Sequence, residues 1–159
     1  NKILDKEDLK GKLDRLRGAG KKIVFTNGCF DILHVGHTRY LQEAKKLGDV
    51  LVLALNSDSS VRALKGEKRP LVPENERADV MASLESVDYV TIFSEATPLK
   101  LIEYLRPDVL VKGGDWAEEN VVGREAVQSW GGRVVIIPEV KGSSTTNIIE
   151  KIREVYGTR

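Results

Sequence analysis

The sequence is poor in the residues that form disulfides and metal sites. It contains one cysteine, Cys29, and two histidines, His34 and His37. A single cysteine excludes an internal disulfide and is typical of a reducing compartment, so we expect a cytoplasmic protein. A zinc site needs three or four protein ligands, and the chain has neither a cysteine pair nor a His-Glu-x-x-His sequence.

The chain also lacks a charge imbalance and a long apolar run. Its 25 lysines and arginines nearly balance 24 aspartates and glutamates, for a net charge of +1. Proteins that bind nucleic acid or anionic membranes usually carry a clear basic excess. No apolar run approaches the roughly 20 residues that a membrane-spanning helix needs. We therefore expect no nucleic-acid or membrane partner and no signal peptide.

What the chain does contain is an alternation of predicted strands and helices. Strands are predicted at 22–26, 50–55, 88–93, 108–112 and 133–137. Helices are predicted up to residue 18, near 36–47, up to residue 64, and at 74–84, 97–105, 120–130 and 145–156. This order favours an α/β fold, a Rossmann-like, doubly wound domain with a five-stranded parallel sheet. We predict one domain over 1–159, with an N-terminal helix in 1–20 and the core in 21–156.

Polar segments that often contain glycine follow most of the predicted strands, at 26–37, 56–58, 113–116 and 138–146. Ligands of doubly wound sheets bind at the carboxyl ends of the strands, near the point where the strand order reverses. We therefore expect the four segments to meet at one edge of the sheet. No Gly-x-Gly-x-x-Gly sequence occurs, which disfavours dinucleotide binding.

The most informative segment is 26–37, where a strand leads through a glycine turn into a helix opened by His34 and His37. The two imidazoles are neighbours on one helical face. A helix N-terminus favours an anion, and two more N–H donors suit a polyphosphate and its transition state. The alternatives are capping or core histidines, and a metal pair completed by Asp31. For Cys29, a nucleophile and a small buried side chain are the alternatives, and we favour the second.

Two other segments carry groups that suit phosphate. The loop at 65–70 contains three cations, and Arg77 lies on the next predicted helix. It predicts either a solvated charged loop or cations that fold over a triphosphate. The hydroxyl-rich segment 142–147 predicts helix N-caps and a phosphate cradle, which are compatible roles.

A glycine turn at Gly113 and Gly114 follows the fourth predicted strand. Paired glycines admit close approach of a flat base to the backbone. For Trp116, two residues after the turn, the alternatives are contact with such a base or a position in the core or an interface.

Together these residues resemble the cytidylyltransferase-like nucleotidyltransferases, whose hallmark is His-x-Gly-His with a late Ser-Thr-Thr element. The likeness covers about residues 20–156. Within the family the details are similar to the adenylyltransferases of bacterial ADP-heptose synthesis, in the segments 25–34, 56–58, 64–70, 84–88, 110–115 and 144–149. Some cytidylyltransferases carry arginine where this chain has Glu139, and that departure speaks against a cytidylyltransferase.

The resemblance implies transfer of AMP from ATP to D-glycero-β-D-manno-heptose 1-phosphate, giving ADP-heptose and pyrophosphate. It implies Mg²⁺ carried on the ATP without a dedicated protein metal site. It also implies a homo-oligomer, a dimer or larger. Because the bifunctional relatives carry a sugar kinase domain ahead of this one, it implies either a stand-alone form or an excised domain. Three alternatives remain: a glycerol-3-phosphate-type cytidylyltransferase, a non-catalytic nucleotide-binding regulatory module and a metal-dependent hydrolase.

The resemblance further implies which residues form the site. The predicted catalytic residues are His34, His37, Lys65 and Arg77. The predicted nucleotide-binding residues are Thr26, Asn27, Gly28, Phe30, Asp31, Lys68, Gly113, Asp115, Ser144, Thr145 and Thr146. In this prediction the histidines and cations contact the triphosphate, the late hydroxyls contact its β- and γ-phosphates, and the glycine turn borders the nucleoside.

Overall fold

A computed structural model describes residues 1–114 and 116–157. The strands are β1 Ile23–Gly28, β2 Val50–Asn56, β3 Tyr89–Phe93, β4 Val109–Gly113 and β5 Arg133–Ile137. The α-helices are α1 Lys6–Gly18, α2 Val35–Lys45, α3 Asp58–Lys65, α4 Glu74–Ala82, α5 Leu99–Leu105, α6 Arg124–Ser129 and α7 Thr145–Tyr156, and a short 3₁₀ turn spans Glu118–Asn120. Within these described residues, no helix is long and apolar enough to cross a bilayer.

The five strands form one parallel sheet in the order β3-β2-β1-β4-β5. The predicted fold class is thereby confirmed. The helix predicted at 120–130 starts later, at Arg124, because Gly123 in front of it has a left-handed backbone with φ 95°. Three strands run further than predicted, so Asn27, Gly28, Asn56 and Gly113 are strand ends rather than loop residues.

Alternating side chains on the central strands supply two cores, one on each face of the sheet. On β2, Val50, Val52 and Ala54 pack with α1, α5 and α6, whereas the leucines between them pack with α2 and α4. All seven residues of β2 are buried. Such a strand reads as a continuous apolar run because both of its faces are covered.

The segment before α1 adds to the edge of the sheet, which the sequence analysis did not predict. The Leu4 amide donates to the Val90 carbonyl at 3.0 Å, and the Val90 amide donates to the Lys2 carbonyl at 2.9 Å. Asp5 then caps α1 by accepting from the Asp8 amide at 2.8 Å. This pairing covers part of the exposed edge of β3.

The strand order reverses between β1 and β4, which lie side by side at the centre of the sheet. Their pairing runs over Val24 with Val109 and Phe25 with Leu110. Beyond these pairs, Tyr40 of α2 reaches the carboxyl ends of both strands. Its hydroxyl lies 2.6 Å from Thr26 Oγ1, and a Cβ added at Gly113 would lie 3.1 Å from its ring. Gly113 and the Tyr40 ring therefore lie side by side at the reversal of strand order, which is where such sheets bind ligands.

Candidate active site

A cavity of about 660 Å³ opens at the carboxyl ends of the strands. All four segments predicted to meet at this edge contribute to its lining. Predicted site residues in the lining are Asn27, Gly28, Phe30, Asp31, His34, His37, Lys65, Ser144, Thr145 and Thr146. Thr26, Lys68, Arg77 and Gly113 are outside the lining, and the predicted residue Asp115 lies outside the described residues.

His34 is the N-cap of α2 and lines the cavity at the same time. Its Nδ1 accepts a hydrogen bond from the Gly36 amide at 3.1 Å. Burial lowers the pKa of the His34 imidazole. A neutral ring whose Nδ1 accepts carries its proton on Nε2. Capping and ligand binding are therefore compatible, because each uses a different ring nitrogen.

His37 stacks on His34, with ring centroids 3.8 Å apart and planes inclined by 25°. The Phe30 ring lies on another side, 4.9 Å away. Burial and the neighbouring His34 lower the pKa of His37 to about 4. Among the described residues, its buried Nδ1 has no hydrogen-bond partner. Leaving such an atom unpaired costs about 1–3 kcal/mol, and its place beside the cavity makes it available to a ligand.

The N-termini of α2 and α7 meet at the cavity. Gly36 of α2 lies so near α7 that a Cβ there would come within 3.0 Å of Ser143 Cβ and 2.9 Å of the His34 ring. Ser144 caps α7 by accepting from the Asn147 amide at 2.9 Å. Two helix N-termini that converge on one space favour an anion there.

Asp31 is buried at the cavity floor and holds in place the segment 66–73 between α3 and α4, which we call the basic loop. Its carboxylate accepts from Arg69 Nε at 2.7 Å and from the Leu71 and Val72 amides at 2.9 Å. Burial raises the pKa of this carboxyl, but the hydrogen bonds and the Arg69 charge outweigh burial and leave the pKa below its ordinary value. Arg69 is thus bound to protein. Lys68 of the same loop is exposed and away from the cavity, unlike its predicted place over the phosphates.

Arg77 also departs from its predicted place, because its side chain is fully buried below the cavity. Its guanidinium donates to the Val72 carbonyl at 2.8 Å, the Cys29 carbonyl at 2.6 Å and Asp58 Oδ1 at 2.9 Å. The Val72 carbonyl belongs to the loop between α3 and α4, the Cys29 carbonyl to the loop between β1 and α2, and Asp58 to α3. Arg77 therefore holds the walls of the cavity together, and these bonds occupy three of its five N–H donors.

Thr26 and Gly113 support the site from below. Thr26 is fully buried and shares its hydroxyl with Tyr40, whose pKa burial raises to about 12 while the Thr26 bond partly opposes the shift. Gly113 leaves room for the same tyrosine ring. Tyr40 itself lines the cavity, and the sequence analysis missed it. Its signal was the spacing from His37, three residues on along the same helical face.

Lys112 is a second cavity residue that the sequence analysis did not select. It is the charged residue in the strand sequence Val-Leu-Val-Lys-Gly, and a lone lysine in such a strand was the available signal. Its ammonium lies 4.9 Å from the centre of the Trp116 ring. Trp116 is half exposed at the cavity, which excludes a core position for it.

Comparison with known proteins identifies the family. The model of the family described as "Cytidylyltransferase-like" matches residues 25–151, which include both histidines and the N-terminus of α7. The chain belongs to the cytidylyltransferase-like family. It is a nucleotidyltransferase, as the resemblance predicted.

Curated relatives support the same placement. The bifunctional protein HldE of Geobacter metallireducens is 62% identical over 156 residues, 98% of this chain and 32% of the relative. HldE of Geobacter sulfurreducens is 58% identical over the same share of each chain. The chain thus spans about a third of the length of these relatives.

Among solved structures, the lipopolysaccharide core biosynthesis protein from Thermoplasma volcanium GSS1 is similar, with a TM-score of 0.65 and 33% identity. The match covers 78% of this chain and all of that one. It supports the fold as well as the family.

Proposed function

We propose that this nucleotidyltransferase is an adenylyltransferase that transfers AMP from ATP to D-glycero-β-D-manno-heptose 1-phosphate and releases pyrophosphate. The observation that carries the proposal is the stacked pair His34 and His37 at the N-terminus of α2, facing the N-terminus of α7. The likeness to HldE proteins and to a lipopolysaccharide core biosynthesis protein supports the sugar phosphate as acceptor.

The reaction needs no nucleophile from the protein. A phosphate monoester is ionised at neutral pH, so its oxygen attacks the α-phosphorus of ATP in line, and pyrophosphate leaves on the opposite side. Catalysis then rests on positioning and on stabilising the charge that builds on the leaving group. Burial raises the pKa of the Cys29 thiol, and the nearby Lys65, Arg77 and Arg69 only partly oppose this. A protonated thiol is a poor nucleophile.

The two histidines act in this proposal as neutral hydrogen-bond donors. Their lowered pKa values leave both rings uncharged in the free protein at neutral pH. The proton on His34 Nε2 faces away from the capping bond, and His37 is held beside it by stacking. Donors fixed before the reaction stabilise developing charge without reorganising, which gives oxyanion-hole groups their large effect.

The remaining site residues contact different parts of the ATP in this proposal. The amides and hydroxyls of Ser144, Thr145 and Thr146 suit the β- and γ-phosphates, and Lys65 supplies positive charge from the end of α3. Phe30 and Asn27 suit the floor under the α-phosphate and the nucleoside. Mg²⁺ neutralises phosphate charge when bound. Among the described residues, no group of three or more His, Cys, Asp or Glu could hold a metal ion. In this proposal the ion arrives with the ATP, because Mg²⁺ often keeps water ligands and binds mainly through phosphates.

The proposal also includes an assembly of identical chains in the cytoplasm. Helix α7 exposes Ile152, Val155 and Tyr156, of which Tyr156 is 82% exposed. An apolar stripe of this kind suits a contact with a second copy. Light scattering of the purified protein tests the assembly, and a monomer at micromolar concentration would contradict it.

The deciding experiment measures pyrophosphate release from ATP and from CTP, each with heptose 1-phosphate or glycerol 3-phosphate. We expect turnover with ATP and the heptose only. Turnover with CTP and glycerol 3-phosphate would replace the substrates while keeping the chemistry. ATP binding without turnover for either acceptor would indicate a regulatory module instead.

A further inference from the structure

Lys112 stands at the end of β4, beside the reversal of strand order, with a half-buried side chain in the cavity. Burial lowers the pKa of its ammonium, the nearby Cys29 partly opposes this, and the positive charge of Lys65 lowers the pKa further. Two like charges in one cavity repel each other where screening by water is weak. An anion placed between them removes that repulsion.

The other cations close to the cavity already have protein partners. Arg69 is paired with Asp31 and Arg77 with Asp58. Within the described part of the chain, neither Lys65 nor Lys112 forms an ion pair with a carboxylate. Lys112 instead lies against the Trp116 ring, a contact that leaves its three N–H groups available.

Lys112 and the histidines approach the cavity from different faces of the sheet. Leu110 belongs to the core on the face of α1, α5 and α6, and Lys112, two residues later in the same strand, projects toward that face. The helix with the histidines covers the opposite face, since its Leu41 and Ala44 belong to the other core. The cavity thus has anion-binding groups on both faces of the sheet, the histidines on one and Lys112 on the other.

We propose that Lys112 binds the phosphate group of the acceptor, while Lys65 supplies positive charge to the triphosphate. This inference rests on the proposed function, in which the histidine pair and α7 already hold the triphosphate. The reaction brings a second anion, the phosphate monoester, toward the α-phosphate against electrostatic repulsion. A lysine at this point offsets that repulsion and holds the attacking oxygen in place. Lys112 is therefore a specificity residue that requires the acceptor to carry a phosphate.

Steady-state kinetics of Lys112→Met and Lys112→Arg test the inference. We expect the methionine variant to raise the KM for heptose 1-phosphate about tenfold or more, while the KM for ATP stays within about threefold, because a charged hydrogen bond to the acceptor is lost. The arginine variant keeps the charge and should recover part of the loss. Lys46→Met is the matched control, since Lys46 lies on the surface with a side chain 69% exposed. Thermal unfolding of each variant shows that it is folded.

Titration calorimetry separates this inference from the proposed function. The probes are α-D-mannose 1-phosphate and free mannose, added to protein saturated with a non-hydrolysable ATP analogue. Binding of only the phosphorylated sugar, lost in Lys112→Met, supports the role of Lys112 even if heptose 1-phosphate gives no turnover.

Three results would overturn the inference. One is a rise in the KM for ATP equal to or larger than that for the acceptor, which would assign Lys112 to the nucleotide. The second is unchanged kinetics in the folded methionine variant. The third is a wild-type protein that binds no sugar phosphate beside the ATP analogue.

Discussion

The cations close to the cavity fall into two groups that differ in what they bind. Arg69 and Arg77 each donate to a carboxylate of the chain, although Arg69 also lines the cavity, whereas Lys65 and Lys112 line it and, within 1–114 and 116–157, have no carboxylate partner. Arginine suits the first role because its planar fork donates in several fixed directions. Lysine suits the second because it is a compact charge on a flexible stem. Charge near a phosphate site is therefore not in itself a sign of phosphate contact.

Arg77→Leu removes one of the two arginines that bond to the protein and should cause the largest loss of unfolding free energy. It leaves Asp58 without its partner and two carbonyls, of Cys29 and Val72, without a donor. Removing one member of a buried ion pair costs about 3–5 kcal/mol of unfolding free energy, and because the Asp58 side chain is 28% exposed we expect the lower end of that range. Urea unfolding measures the loss, and Arg62→Leu on the exposed side of α3 should change it by only about 0.5 kcal/mol. A folded, fully stable Arg77→Leu with selectively weakened ATP binding would restore Arg77 to the phosphates.

His37→Ala tests whether the histidines belong with the groups left free for ligand. Loss of a donor to the transition state should lower kcat about 10²–10³-fold. The free energy of unfolding should fall by only about 0.5–1.5 kcal/mol, because the ring contacts with His34 and Phe30 are lost but the buried Nδ1 has no described partner to lose. Stopped pyrophosphate assays give kcat, and Thr38→Ala in the same helical turn is the control. Near-normal kcat in the folded variant would remove His37 from the chemistry.

Asp31→Asn weakens the fastening of the basic loop from its acidic side. The amide keeps one acceptor oxygen but loses the charge beside Arg69, so we expect a loss of about 1–3 kcal/mol at pH 7. Because the pKa of Asp31 is lower in the folded than in the unfolded protein, its contribution is present above the unfolded pKa of about 4 and is lost as pH falls through the lower folded value.

Urea unfolding between pH 7 and pH 2 measures this effect. The difference between wild type and Asp31→Asn should shrink below about pH 4. Asp14→Asn, at an exposed pair on α1, serves as the control and should differ little from wild type throughout. A constant difference across the whole range would mean that Asp31 does not act through its charge.

The sequence predicted the fold and the meeting point of the loops because both follow from local patterns. The apolar run of β2 and the strand-helix alternation define a parallel sheet, and such a sheet gathers the ends of its strands at one edge. The pair His34 and His37 was visible as a spacing within one helical turn.

The partners of the charged residues were not predictable in the same way. Arg77 bonds to Cys29, 48 residues earlier, and Asp31 bonds to Leu71, 40 residues later. Nothing in the local sequence distinguishes an arginine that turns inward from one that faces a ligand, since both positions show only a cation near a loop. Lys112 directly precedes two glycines, and a glycine turn indicates contacts through the backbone rather than through a neighbouring side chain.

Cys29→Ser changes a residue that is in contact with both groups of cations. The Cys29 carbonyl accepts from Arg77, and the residue lines the cavity near Lys65. The backbone bond survives the change, and the raised pKa of the thiol gives it no nucleophilic role at neutral pH. We therefore expect kcat within about threefold of wild type, because only one atom of a small side chain is exchanged. Pyrophosphate release under saturating ATP measures this, with intact-mass spectra after turnover as a check for a covalent adduct. Loss of activity in a folded Cys29→Ser, or an adduct on the wild-type protein, would make the thiol part of the chemistry. One residue would then both support the cavity wall through its carbonyl and react with the ligand through its side chain.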